Sequence, residues 1–167
     1  MKRLGLAFLL LFAASCERRE TPSPPPAPPP AQVGLVGFQR PMTGLYRDGR
    51  GGPASELCIV EEGRIARFGL VAWGGNDHSC SGAGRVERRG DHLLFTMEGE
   101  GFCRFTASYD GRRILLSEAP QGNCSYYCGA RARFAGLDFA RIGATPAAAA
   151  QATDLAGGAL CFAESGS

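Results

Sequence analysis

The sequence predicts a mainly β domain: a small antiparallel up-and-down barrel or curled sheet, with a short C-terminal helix and a disulfide framework. Three observations predict it. Between residues 42 and 141, about eight short runs of alternating character recur at regular spacing, separated by glycine-bearing turns. Six cysteines beyond Cys16, an even number, are spread through and after those runs. Behind the last run, a Thr-Pro pair opens a stretch rich in alanine. Closing the sheet would leave no strand edge exposed; a β-sandwich is the alternative arrangement of the same strands.

The elements follow in order. Met42 to Tyr46 is a first short strand, and the loop Asp48-Gly49-Arg50-Gly51-Gly52-Pro53 ends it. Ser55 to Glu61 and Arg64 to Trp73 flank Glu62-Gly63, a tight hairpin signal. In the second of these, Ala66, Phe68, Leu70 and Ala72 share one face, and Ile65, Val71 and Trp73 the other. Gly74 to Asp77 turns the chain and Ser79 to Arg88 runs back. Arg89-Gly90-Asp91 leads into His92 to Met97, with Leu93, Phe95 and Met97 on one face. Glu98 to Gly101 is the next turn. From Phe102 to Tyr109, Cys103, Phe105, Ala107 and Tyr109 alternate with Phe102, Arg104, Thr106 and Ser108, a clean period of two. Asp110-Gly111 reads as a hairpin turn and Arg113 to Ser117 as the returning strand. Pro120 to Gly129 is a cysteine-bearing loop, and Arg131 to Arg141 is expected to supply the last strand. Thr145 is an N-cap with Pro146 at the first helical position, so Ala147 to Ala156 is expected to be helix, stopped by Gly157-Gly158. Cys161 then ties this tail to the sheet.

The start of the chain has a different character. Lys2 and Arg3 precede an apolar run from Leu4 to Ala14, eleven residues against the ~20 needed to span a bilayer. Small residues follow, then Cys16. The pattern resembles a bacterial lipoprotein signal, with residues 1–15 removed and Cys16 acylated; Ala13 stands where that motif prefers leucine. Two or three acyl chains on one cysteine anchor stably where a single chain does not. Behind Cys16, Glu17 to Glu20 is charged and Thr21 to Pro30 holds seven prolines. Residues 16–40 are therefore read as the lipid attachment plus a linker, extended as polyproline II at ~3.1 Å per residue and able to reach roughly 70 Å. Residues 41–167 form the single β-rich domain. Glu17 lacks the aspartate that retains enterobacterial lipoproteins at the inner membrane, which favours the outer one.

Apart from Lys2 and Arg3, sixteen arginines balance sixteen acidic residues. A neutral chain lacks the basic excess of a nucleic-acid binder. In an oxidising compartment Cys58, Cys80, Cys103, Cys124, Cys128 and Cys161 form up to three bridges, with fifteen connectivities open.

No nucleophile elbow, Walker loop, dinucleotide fingerprint, zinc-protease helix or EF-hand loop is present. His78 with Cys80 is the nearest thing to a base and a nucleophile, but no third group is indicated, and Cys80 reads better as half a disulfide. Cys124 and Cys128 with His78 make a thin zinc set, so no metal or other cofactor is expected. Glu61-Glu62 and Glu98 with Glu100 read as solvated hairpin tips rather than a glycosidase pair. Arg88-Arg89 and Arg112-Arg113 read as hairpin-end charges. Between Cys124 and Cys128, Tyr126 and Tyr127 suggest a stiff contact surface, since aromatic residues are favoured at interfaces.

Through Gly44-Leu45-Tyr46, Leu57-Cys58-Ile59, Phe68-Gly69, Cys80-Ser81-Gly82 and Tyr126-Tyr127-Cys128-Gly129, the domain resembles lipoproteins of alphaproteobacteria, a resemblance that implies no activity. At the level of fold it is distantly similar to the membrane-bound inhibitors of c-type lysozyme. The expected function is a non-enzymatic binding module anchored in the cell envelope and facing the periplasm. Its partner would be an envelope protein, a glycan or a small apolar ligand, with no nucleic acid. An envelope hydrolase or thiol enzyme is the alternative.

Overall fold

Alternation along the strands decides the architecture, because every inward position from β3 to β7 is apolar or glycine except Arg88, the last one of β4. The computed structural model describes residues 40–49, 53–117 and 119–161, all within one compact unit, Phe38–Ser167. Among them, nine antiparallel strands form: β1 (Gly44–Asp48), β2 (Ser55–Glu62), β3 (Ile65–Trp73), β4 (Ser79–Arg89), β5 (His92–Met97), β6 (Cys103–Tyr109), β7 (Arg113–Leu116), β8 (Gln121–Gly122) and β9 (Asp138–Gly143). Neighbours in sequence pair in space from β1 to β7, β9 lies between β7 and β1, and β5 pairs with β6. Eight strands therefore close into an up-and-down barrel. The ninth, β8, resumes the pairing with β6 that β7 leaves at Leu116: Arg104 faces Gln121 and Cys103 faces Gly122.

Three of the hairpins are short for local reasons. Gly63 and Gly90 sit at φ +63° and +66°, the left-handed region that side chains resist, so Glu62 can face Ile65 and Arg89 can face His92. At the β6–β7 turn the Asp110 carboxylate accepts the backbone N–H groups of Arg112 and Arg113, both at 2.7 Å.

The barrel axis is filled. Phe95 and Phe105 stack at 5.0 Å, Phe68 meets both edge-on, and Phe134 stacks on Phe105 from above at 5.4 Å. Leu57, Ile59, Leu70, Leu93 and Ile114 complete this layer, each almost fully buried. Burying one such side chain contributes roughly 1.5–3 kcal/mol.

The two ends are closed differently. Residues 40–43, the strap, cross the end where β1, β3, β5 and β7 begin. Residues 123–137, the crown, cover the opposite end and insert Phe134 into the core. This explains two departures from the expected elements. Met42 and Thr43 do not start β1, because their N–H groups bond the Glu61 carboxylate at 2.8 and 3.0 Å instead of a neighbouring strand. The last strand is Asp138–Gly143 rather than Arg131 to Arg141, because the chain before it is spent on the crown.

The tail also differs from expectation. Thr145 caps as expected, its Oγ1 accepting from the Ala148 N–H, with Pro146 at the first position. The helix α1, however, runs only from Pro146 to Ala149. Beyond it, Asp154 accepts from the N–H groups of Ala156 and Gly158, and Leu160 N–H donates to Ala152. The alanine run thus folds back on itself, delivering Cys161 to Cys58. Ala149, Ala152 and Cys161 bury Leu45, Cys58 and Val60 in a second, smaller core outside the barrel wall.

Candidate functional site

The crown is fixed to the barrel by two of the three disulfides. Cys80 on β4 bonds Cys128, and Cys103 at the start of β6 bonds Cys124. The third bridge, Cys58–Cys161, holds the tail. All six cysteines expected to be oxidised are paired. Cys80 is therefore no nucleophile, and Cys124 and Cys128, committed to different partners, are not zinc ligands. His78 lies in the β3–β4 turn, where Asn76 and Asp77 both take positive φ, and its ring stands beside Gly129 of the crown. Among the described residues, no three His, Cys, Asp or Glu side chains are grouped to hold a metal ion. Cys16 lies outside the described residues.

Within the crown, a single 3-10 turn spans Cys124–Tyr127. It gives the two tyrosines different tasks. Tyr127 turns inward, packs against the core, and donates from its hydroxyl to the Gly101 carbonyl at 2.8 Å. Tyr126 turns outward and is 56% exposed, its ring 5.2 Å from that of Tyr127 and edge-on to it. The expected contact surface therefore has one exposed tyrosine, held in place by the other.

A residue that sequence reasoning read only as the start of a strand joins it. Phe102 is 59% exposed and immediately precedes Cys103. Cys103 and Cys124 have Cα atoms 4.7 Å apart, so Phe102 and Tyr126 flank one disulfide. The Arg104 guanidinium lies 5.5 Å from the Phe102 ring. The signal was present in the run Gly101-Phe102-Cys103-Arg104, where strict alternation forces Phe102 outward once Cys103 points in. An exposed aromatic pair on a stiffened support can make apolar contacts with a partner at little cost in ordering.

A hollow of about 630 Å³ also opens at this end, between Asp48, Ser55, Trp73, Arg131, Arg133 and Leu137. It is broad and open to solvent, and the buried Asp48 carboxylate at its edge accepts from the Asp138 N–H at 3.0 Å.

The strap is held by side chains of the strands beneath it. Arg141 on β9 donates to the hydroxyls of Tyr46 and Tyr109, each at 2.6 Å, and to the Pro41 carbonyl. Tyr46 in turn donates to Met42 O at 2.6 Å and Tyr109 to Pro41 O at 2.7 Å. Arg88 donates to the Arg40 carbonyl at 2.6 Å while lying over the Tyr109 ring. Burial, then the neighbouring Tyr109 hydroxyl, hold the Tyr46 phenol far above its ordinary range, against the opposing pull of Arg141. Asp110 is held below the usual carboxylate range by the N–H groups of Arg112 and Arg113. Arg113 is held still more firmly protonated by Asp138, which it meets through two nitrogens. Glu61 and Arg88, expected as solvated hairpin charges, both secure the strap.

Comparison with protein-family models, with curated proteins and with solved structures returns no match to this chain.

Proposed function

We propose that this chain is a lipid-anchored binding module of the cell envelope, without enzymatic activity, that meets its partner through the crown. Cys16 carries the lipid, residues 17–39 serve as spacer, and the strap receives that spacer at the end of the barrel opposite the crown. The partner is an envelope protein or glycan on the periplasmic side, and the anchor lies in the outer membrane. The single observation that carries the reading is Tyr126, 56% exposed on a turn that two disulfides pin to the barrel. Ordering is then complete before binding, so the aromatic contact contributes more of its energy to affinity. The three disulfides support an oxidising compartment.

Two measurements test it. Cys16→Ser should release the protein from the membrane fraction or leave it as unprocessed precursor; normal processing with acyl labelling would refute the anchor. Tyr126→Ala should weaken capture of a partner from envelope extract while shifting the thermal midpoint by no more than about 2 °C, as surface changes do. A large drop in that midpoint with capture intact would refute the contact surface.

A further inference from the structure

We infer that the surface around Phe102 docks a second copy of this chain, forming a two-fold dimer crown to crown. The inference rests on reading the crown end as a contact surface and names its partner.

The observation is the pattern Glu100-Gly101-Phe102-Cys103-Arg104. Burial alternates along it: Gly101 and Cys103 are buried, whereas Glu100 and Phe102 are exposed and Arg104 partly so. Phe102 and Arg104, on either side of Cys103 at the start of β6, leave on the same side, and Glu100 is exposed in the turn just before them. An apolar ring thus stands between an acid and a base two residues away on either side. Among the described residues, neither charge is engaged in an ion pair. The ion pairs among the described residues near this surface engage Arg85 with Glu98, not Glu100 or Arg104. The Arg104 guanidinium is stacked over Phe102, and its buried Nε has no hydrogen-bond partner.

A two-fold interface brings the same patch of two molecules together, so the patch must complement itself. This one does. With the axis passing near Phe102, Glu100 of each copy meets Arg104 of the other and the two phenylalanine rings face one another. Tyr126, beside the same disulfide, widens the apolar centre, and Gln121, Asn123 and Ser125, all exposed, supply a polar rim. An apolar centre within a polar rim is the usual anatomy of an interface. The patch is small, so association is weak in free solution, in the micromolar to millimolar range. Anchoring confines the domains to a thin layer and raises their effective concentration toward that range.

The test is sedimentation equilibrium of the chain from Glu17 to Ser167, exported through a signal that leaves no lipid. Dimer should accumulate as concentration rises toward about 1 mM and recede at high salt. Phe102→Ser, Glu100→Arg and Arg104→Glu should each weaken association at least roughly tenfold. The double exchange Glu100→Arg with Arg104→Glu should restore it to within about threefold, because the pairing is only reversed. Glu100 is exposed, so its variant is expected to fold, and a melting curve checks all of them. Strictly monomeric protein, or a double exchange no better than the singles, overturns the dimer. If monomeric protein still captures an envelope partner through Tyr126, the contact-surface reading stands without the dimer; if it captures none, both fall.

Discussion

Arg141 carries more than its share of the strap end. Its guanidinium serves two phenol oxygens and one carbonyl and lies over the rings of Tyr46 and Tyr109 at 5.1 and 5.8 Å. Replacing it with methionine keeps the bulk but leaves those acceptors short of a donor, at a cost of about 1–3 kcal/mol for each buried group left unsatisfied. Urea denaturation of Arg141→Met should therefore show a loss of several kcal/mol, and Arg141→Lys should recover little, since a point charge cannot reproduce the fork. Tyr46 adds a pH dependence. Its folded phenol ionises well above the unfolded value of about 10, so the stability it contributes is intact below pH ~10 and declines above it, as the unfolded chain ionises first. Tyr46→Phe should flatten that alkaline decline even while lowering stability at neutral pH. A stability profile equally steep in the variant would show that another group is responsible. At the crown, Tyr127→Phe should cost about 1 kcal/mol through the lost bond to Gly101, whereas Tyr126→Phe should cost nothing measurable.

Among the elements, the strands were legible and the irregular segments were not. Ile65 to Trp73 shows why. Its faces follow from period two alone, and Ala66, Phe68, Leu70 and Ala72 do all point inward. The tail shows the opposite case. An alanine run behind Thr145-Pro146 satisfies every local rule for a helix of ten residues, and only the long-range bond to Cys58, 103 residues away in sequence, and the turn around Asp154 shorten it to four. No local pattern encodes that contact, although Gly69 bears its imprint: a methyl there would stand 2.5 Å from Leu160 O, inside the packed tail. Gly69→Ala should therefore loosen the tail without opening the barrel, seen as faster proteolysis near residue 160 with an almost unchanged barrel melt. The candidate site was half legible for the same reason. Two tyrosines between cysteines announced a stiff loop, but which of them faces solvent depended on where Gly101 lies, whereas the outward turn of Phe102 follows from alternation once Cys103 points in.

On the scale of the whole molecule, each disulfide joins a barrel strand to something laid over the barrel, and none joins two strands of the wall. Reduction should thus uncouple the accessories before the wall. In hydrogen exchange under reducing conditions, amides of the crown and of residues 146–161 should lose protection first, while those of β2 to β5 persist; simultaneous loss everywhere would mean the wall depends on the bridges. Severing Cys58–Cys161 alone, with both residues changed to alanine, should lower stability by about 2–4 kcal/mol. The strap has a further meaning for a molecule held by one end. Any load transmitted along the preceding chain arrives at Arg40 and is met first by carbonyls and N–H groups gripped by Arg88, Tyr109, Arg141 and Glu61, not by the ladders between strands. Those grips are side chains reaching across to a short segment, and they can give way one after another without any strand leaving the wall. The strap is in that sense a mechanical fuse: a force trace taken by pulling from the N-terminus should show a short early extension of a few residues, and only at higher load the rupture of the barrel itself.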